Sequence, residues 1–357
     1  MIKQYYKQAL AQLRQHPLIS IIGIVGTALS IFLIMLVVMM QQVKVAPFSP
    51  ESNRNRFLHV HYMSISHKDW GNGTSNGPMS VQTAREVYKS LKTPEAVTVY
   101  CCMTVSTPVS LPGAPAIGAD VRETDDTFFH VFDFQFTDGK PYDEATFTAG
   151  RPVAVITESI SRALFGSIQS VGKEFLLSHA PYRVVGVVKD VSTLADMAYG
   201  QVWIPFTSTN LSNDTWSDNH MGMMSVTLLA HDREDFDEIR AEAKRRMNEY
   251  NSILADQGYT LIDRNRPYDQ ETQSISFAAN LEPDLKAARR ERVIIFIILL
   301  LVPAINLSSM TQSRLRQRVA EIGVRRAFGS TRIEMVGQIV MENLVITLLA
   351  GAIGLLH

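Results

Sequence analysis

Gly166, Gly172 and Lys173, within FGSIQSVGKEF (Phe165 to Phe175), have the residue types and nearly the spacing of a phosphate-cradling loop. A loop that wraps a nucleotide phosphate needs G-x-x-x-x-G-K-[ST], because backbone N–H groups must surround the phosphate while a hydroxyl reaches Mg²⁺. Here five residues separate the glycines instead of four, and Glu174 places a carboxylate where that hydroxyl belongs. The stretch is not expected to bind ATP. His59 and His61 occupy alternate positions of a strand-like run with His67 nearby, but no third ligand with an orienting partner accompanies them. Hydrogen-bonded structural histidines are the expected outcome, and no metal or cofactor is expected on this chain. The two cysteines, Cys101 and Cys102, are adjacent, which disfavours disulfide geometry, so both are expected to behave as small buried hydrophobes. Asp125 and Asp126 open DDTFFHVFDF, where they suit the N-terminal turn of a helix. No Ser/His/Asp set or carboxylate pair stands out, so no catalytic residue is assigned.

The elements that must carry these residues divide sharply by hydropathy. Leu18 to Met40 runs 23 residues without a charge, enough to cross a hydrocarbon core of about 30 Å as a helix and too long for the apolar part of a cleavable signal peptide. Val293 to Met310 is a second apolar run of spanning length containing Pro303, with Asn306, Ser308 and Ser309 close enough to satisfy the freed carbonyl. A third, over 335–357, ends with the chain at His357. Lys3, Lys7 and Arg14 precede the first run and Lys44 follows it, which predicts a cytoplasmic N-terminus. The arginines after the second run agree; Lys286, Arg289, Arg290 and Arg292 before it do not, but long domains translocate largely regardless of charge. Residues 41–292 are then extracytoplasmic, and the glycine–lysine stretch lies where ATP is scarce. Residues 1–17 have the spacing of an amphipathic helix on the cytoplasmic side. A net charge of -1 offers no basis for binding nucleic acid.

Between the first two runs the pattern is mixed. FLHVHYM alternates like a half-buried strand; SVQTAREVYKSL opens on Ser80 and spaces Val81, Ala84, Val87, Tyr88 and Leu91 for a helix. PVAVIT, KEFLL, YRVVGVVKDV and MSVTLLA are β-branched runs, and the charged segment from Asp232 to Asn251 puts Phe236, Ile239, Ala243 and Met247 on one helical side. The expected fold class is an α+β extracytoplasmic domain on an α-helical membrane domain. WGNGTSNGP and TSTNLSNDTWSDN are expected loops.

On the cytoplasmic side, Ser313 to Leu344 reads as helix, break, helix. Gly329 fits a helix terminus, and Thr331 with Glu334 forms a capping box for the next helix. Six arginines between 314 and 332 suit either anionic lipid headgroups or a protein partner.

EIGVRRAFGSTRIEM (Glu321 to Met335), together with GRPVAVITESISRALFG, VGKEF and YRVVGVVKDV (Gly150 to Val191), resembles the MacB/FtsX-like permease family of ABC transporters. The resemblance implies a non-catalytic membrane subunit that dimerises, as homo- or heterodimer, and is driven by a separate cytoplasmic ATPase that holds the ATP and Mg. Closure of that ATPase would work the extracytoplasmic domain, a mode called mechanotransmission. The process served would be efflux of an antibiotic or peptide, lipoprotein handling or control of a cell-wall enzyme. Glu321, Gly323, Arg325, Arg326, Ala327 and Gly329 would form the ATPase-coupling corner with Thr331 and Glu334, and residues 277–292 a stalk. A periplasmic adaptor and membrane lipid are further implied partners, in a bacterial cytoplasmic membrane. The family has four membrane helices, so three are expected here with the fourth beyond the chain's end. An alternative class is a membrane-anchored extracytoplasmic sensor or receptor, but the third apolar run and the capped corner favour the permease.

Overall fold

The computed structural model describes residues 17–317, 319–329 and 331–355; some helical side chains, those of Glu321 and Arg325 among them, lie outside that description. So does the helix expected over 1–17, apart from its last residue. Two compact units result, one of residues Val43–Pro283 and one of the helices before and after it.

In chain order the first unit's strands are β1 (Phe57–Val60), β2 (Met63–His67), β3 (Thr74–Gly77), β4 (Ala96–Cys101), β5 (Val105–Ser110), β6 (Ile117–Thr124) and β7 (Phe136–Gly139). They continue as β8 (Val153–Thr157), β9 (Glu174–Leu177), β10 (Ala180–Val188), β11 (Val202–Pro205), β12 (Met224–Leu229), β13 (Tyr259–Ile262) and β14 (Tyr268–Asp269). The longer helices of the chain are α1 (Pro17–Val43), α2 (Glu158–Phe165), α3 (Phe236–Leu254), α4 (Leu285–Gln317), α5 (Val319–Ala327) and α6 (Arg332–Leu355).

The main sheet runs β11-β8-β10-β9-β5-β6-β4-β12-β1-β14, and β11 also pairs in parallel with β6. That extra pairing closes β11, β8, β10, β9, β5 and β6 into a barrel. Alternation along each strand turns Ala119 and Val121, Phe175 and Leu177, Tyr182 and Val184, and Val202 and Ile204 into one cluster. Beyond the barrel, β4, β12 and β1 carry α3, whose Phe236, Ile239, Ala243, Met247, Tyr250 and Leu254 are buried at helical spacing. Strands β13, β2 and β3 form a separate sheet.

Several expectations change. FLHVHYM is two strands, β1 and the start of β2, paired in different sheets, and β1 is buried throughout because it lies between β12 and β14 under α3. WGNGTSNGP is not wholly loop: Thr74–Gly77 pairs with β2, and Trp216 packs over Gly77 while its Nε1 donates to Ser75 Oγ at 3.1 Å. Asp125 is no helix-terminal charge. It is buried, accepts from Val99 N at 2.9 Å and Thr98 Oγ1 at 2.7 Å, and pairs with Lys89 Nζ at 2.8 Å, so it ties β4 to the helical segment 81–89. Burial raises its pKa, which Lys89 and the hydrogen bonds only partly offset.

The histidines are satisfied individually. His59 is buried between Thr227 Oγ1 at 3.1 Å and Gln270 Oε1 at 2.8 Å, and desolvation pushes its pKa down to about 4. His61 faces Ser225, and His67 sits against Asp69 and the Gln257 carbonyl. No metal-holding cluster of His, Cys, Asp and Glu occurs among the described residues. The glycine–lysine stretch also finds a structural cause: Gly166 caps α2 in the left-handed conformation (φ +69°), and its N–H bonds the Arg162 carbonyl.

In the helical unit, α1 and α4 contain segments of 20 and 29 residues with the length and composition of membrane spans. Thr27, Ala28 and Ser30 of α1 are buried, and Ser30 Oγ donates back to the Gly26 carbonyl at 2.8 Å. Those three side chains therefore pack against other residues of this chain.

Candidate functional site

The corner between α5 and α6 is built by three consecutive features. Helix α5 closes with the Phe328 N–H on the Val324 carbonyl, and Gly329 takes φ +94°, which an L side chain would resist. Thr331 then starts α6: its N–H donates to Glu334 Oε2 at 2.9 Å, and its hydroxyl accepts from Glu334 N at 3.3 Å. The capping box read from the sequence is therefore formed, and it satisfies two N-terminal donors of α6 reciprocally. Further along α6, Thr311 Oγ1 of α4 donates to Asn343 Oδ1 at 3.0 Å, tying these two helices together.

The corner presents apolar and cationic groups together. Phe328 is 87% exposed and Ile333 84% exposed, on either side of the Gly329 turn, and Arg326 and Val324 are exposed beside them. A Cβ added at Gly323 or Gly329 would meet nothing within 4 Å. Glycine inside a helix such as α5 costs about 1 kcal/mol relative to alanine. Packing among the described residues therefore gives no reason for Gly323. Ala327 is likewise exposed. The side chains of Glu321 and Arg325 are outside the described residues.

A second constellation, which the sequence did not flag, lies where the chain enters the extracytoplasmic domain. Arg54 is 3% exposed and spends its guanidinium fully. Nε donates to Glu51 Oε2 at 2.7 Å, Nη1 to the carbonyls of Val43 (2.6 Å) and Ala46 (3.1 Å), and Nη2 to that of Leu194 (2.9 Å). The Phe48 ring lies 4.2 Å below it. Glu51 Oε1 accepts from Ala198 N at 2.9 Å. Burial raises the Glu51 pKa more than Arg54 lowers it. Gln270, held by His59, donates to the Lys44 carbonyl at 2.8 Å. The carbonyls of Val43, Lys44 and Ala46 are thus pinned to the domain by the buried Arg54 and the half-buried Gln270. The only sequence signal was an arginine flanked by Ser52, Asn53 and Asn55, which looks like a solvated turn.

This is an α+β domain inserted in a helical unit that contains a capped corner. A family model for the MacB-like periplasmic core domain matches residues 18–246, and one for the FtsX-like permease C-terminal region matches residues 293–357. The class is therefore an ABC transporter permease with an extracytoplasmic domain. The chain belongs to the MacB/FtsX-like family. It is 22% identical over 244 residues to an uncharacterized ABC transporter permease, YknZ, of Bacillus subtilis, covering 66% of this chain and 55% of that protein. It is 24% identical over 241 residues to the macrolide export ATP-binding/permease protein MacB of Burkholderia cenocepacia, covering 67% of this chain and 33% of that protein. The chain thus spans about half of the first relative and a third of the second. The crystal structure of the periplasmic region of MacB from Actinobacillus actinomycetemcomitans superposes with a TM-score of 0.39 at 19% identity, over 57% of this chain and 88% of that one.

Proposed function

We propose that this chain is the permease subunit that converts ATP hydrolysis by a separate cytoplasmic ATPase into movement of its extracytoplasmic domain. The observation that carries this is the corner: Phe328 and Ile333 stand exposed around Gly329, and the space over Gly323 is open. An apolar pair exposed beside arginines suits a groove in a protein partner better than water alone. Glu321, Gly323, Arg325, Arg326, Ala327 and Gly329 form the docking surface, and Thr331 with Glu334 stiffens the start of α6 so that a push at the corner is carried along it. ATP and Mg²⁺ belong to the partner. Two permease subunits, identical or related, face one ATPase pair in the cytoplasmic membrane, with α6 as the third span and residues 277–292 as the stalk. On the outer side, the Arg54 and Gln270 clamps make the segment after Gln42 move with the domain. The cargo is a protein, peptide or amphiphile handled outside the membrane, and a periplasmic adaptor completes the assembly where an outer membrane is present.

A photo-crosslinking amino acid at Phe328 tests the contact in cells. The expected product is an adduct with a Walker-motif ATPase; adducts with lipid alone would leave the corner as a headgroup-binding surface and overturn the proposal.

A further inference from the structure

The barrel of the extracytoplasmic domain holds a cavity of about 310 Å³, lined by Val105, Val121, Leu177, Tyr182, Ile204 and Glu123 among others. Barrel mouths are a recurrent place for small ligands, and this volume lies at the lower end of the usual range of about 300–1,000 Å³. Its walls are mostly apolar, and its way in is marked by Val105 and Met103, which are 56% and 50% exposed. The exception is Glu123. Ala119, Val121 and Glu123 alternate along β6, so a carboxylate closes the row whose other members fill the barrel core.

That carboxylate has no cation. Its partner is the Thr209 hydroxyl, which donates to Oε2, and among the described residues no Lys, Arg or His forms an ion pair with it. The neighbouring Arg122 is on the opposite face of β6, committed to the carbonyls of Cys101, Asp196 and Tyr199. The other titratable groups on the cavity wall are the Cys101 thiol and the Tyr182 hydroxyl, which contribute no positive charge. Desolvation accordingly raises the Glu123 pKa to about 7. A metal ion would want three or four donors, and the wall offers one carboxylate and one thiol.

We infer that the barrel cavity is a binding site for a small protonated amine on an apolar body, with Glu123 as its counter-ion. The ammonium hydrogen-bonds the carboxylate while the apolar part replaces water against Val121, Leu177 and Ile204. An uncharged analogue leaves the carboxylate desolvated without a partner and is rejected. Because an ammonium favours the ionised carboxylate, affinity rises with pH through about 7. The site needs no ATPase, so it stands or falls separately from the coupling corner.

The test uses the full chain in lipid nanodiscs, with empty nanodiscs subtracted, and two probes of the same shape: tryptamine, which is charged, and tryptophol, its hydroxyl counterpart. Saturable binding of tryptamine is expected, with tryptophol at least about tenfold weaker. Glu123→Gln should lose about tenfold or more for tryptamine and flatten the pH dependence between about pH 6 and 8. Val105→Trp, which obstructs the entrance and leaves the carboxylate in place, should abolish binding of both. Thermal unfolding of each variant confirms that it is folded. Equal affinity for the two probes, retention of tryptamine by Glu123→Gln, or no saturable tryptamine binding to the native chain would each overturn the inference.

Discussion

Arg54 Nη1 donates to the carbonyl of Val43 at 2.6 Å, from a side chain that also pairs with Glu51 and reaches Leu194. A single guanidinium thus joins the point where the chain leaves α1 to a loop 140 residues beyond Arg54 itself. Lysine could not replace it, because no ammonium spans this set of acceptors in a plane.

Removing Arg54 leaves Glu51 buried without its cation. Arg54→Ala is expected to lower unfolding free energy by about 3–5 kcal/mol, and Arg54→Lys to recover little. The double variant Arg54→Met with Glu51→Gln should be less damaged than the sum of the two single changes. Denaturant unfolding followed by tryptophan fluorescence measures this, and additive losses would show that the two side chains act separately.

His59 gives the domain a specific response to acid. The unfolded chain takes up a proton on it near pH 6.5, the folded chain only near 4. The neutral ring therefore contributes stability that is fully present above pH 6.5 and is lost as pH falls toward about 4, on the order of 3 kcal/mol at most. His59→Asn should flatten that part of the profile. An unchanged slope between about pH 7 and pH 5 would locate acid sensitivity in other groups.

Gly323 separates folding from coupling. Gly323→Ala has room for its methyl group and improves helix propensity, so α5 should gain up to about 1 kcal/mol. If a partner backbone approaches there, the same variant should still lower ATP hydrolysis by the assembled complex. Full activity in Gly323→Ala would remove the glycine from the docking surface.

Much of the fold was legible in the sequence because periodicity reports one-sided burial. The α3 stripe and the Ser80 start needed only local spacing; Ser80 Oγ does accept from Thr83 N. The barrel was not legible, since β5, β6 and β11 are short, polar or proline-containing, and closure depends on β11 meeting β6 across 78 residues or more of chain. Asp125 misled for the same reason: a carboxylate before an aromatic run looks like a helix start until β4 supplies its donors. At the corner, Gly329, Thr331 and Glu334 announced their geometry locally. The Arg54 clamp and the Glu123 cavity are assembled from residues far apart in sequence, and no spacing rule reaches them.

The coupling claim is tested most directly by co-purification of the full-length protein from detergent-solubilised membranes, with Arg325 and Arg326 both changed to glutamate in the comparison. The account predicts that an ATPase subunit accompanies the native chain and is lost from the double variant, while both chains reach the membrane equally. An ATPase retained by the double variant, or recovered with neither, would contradict it.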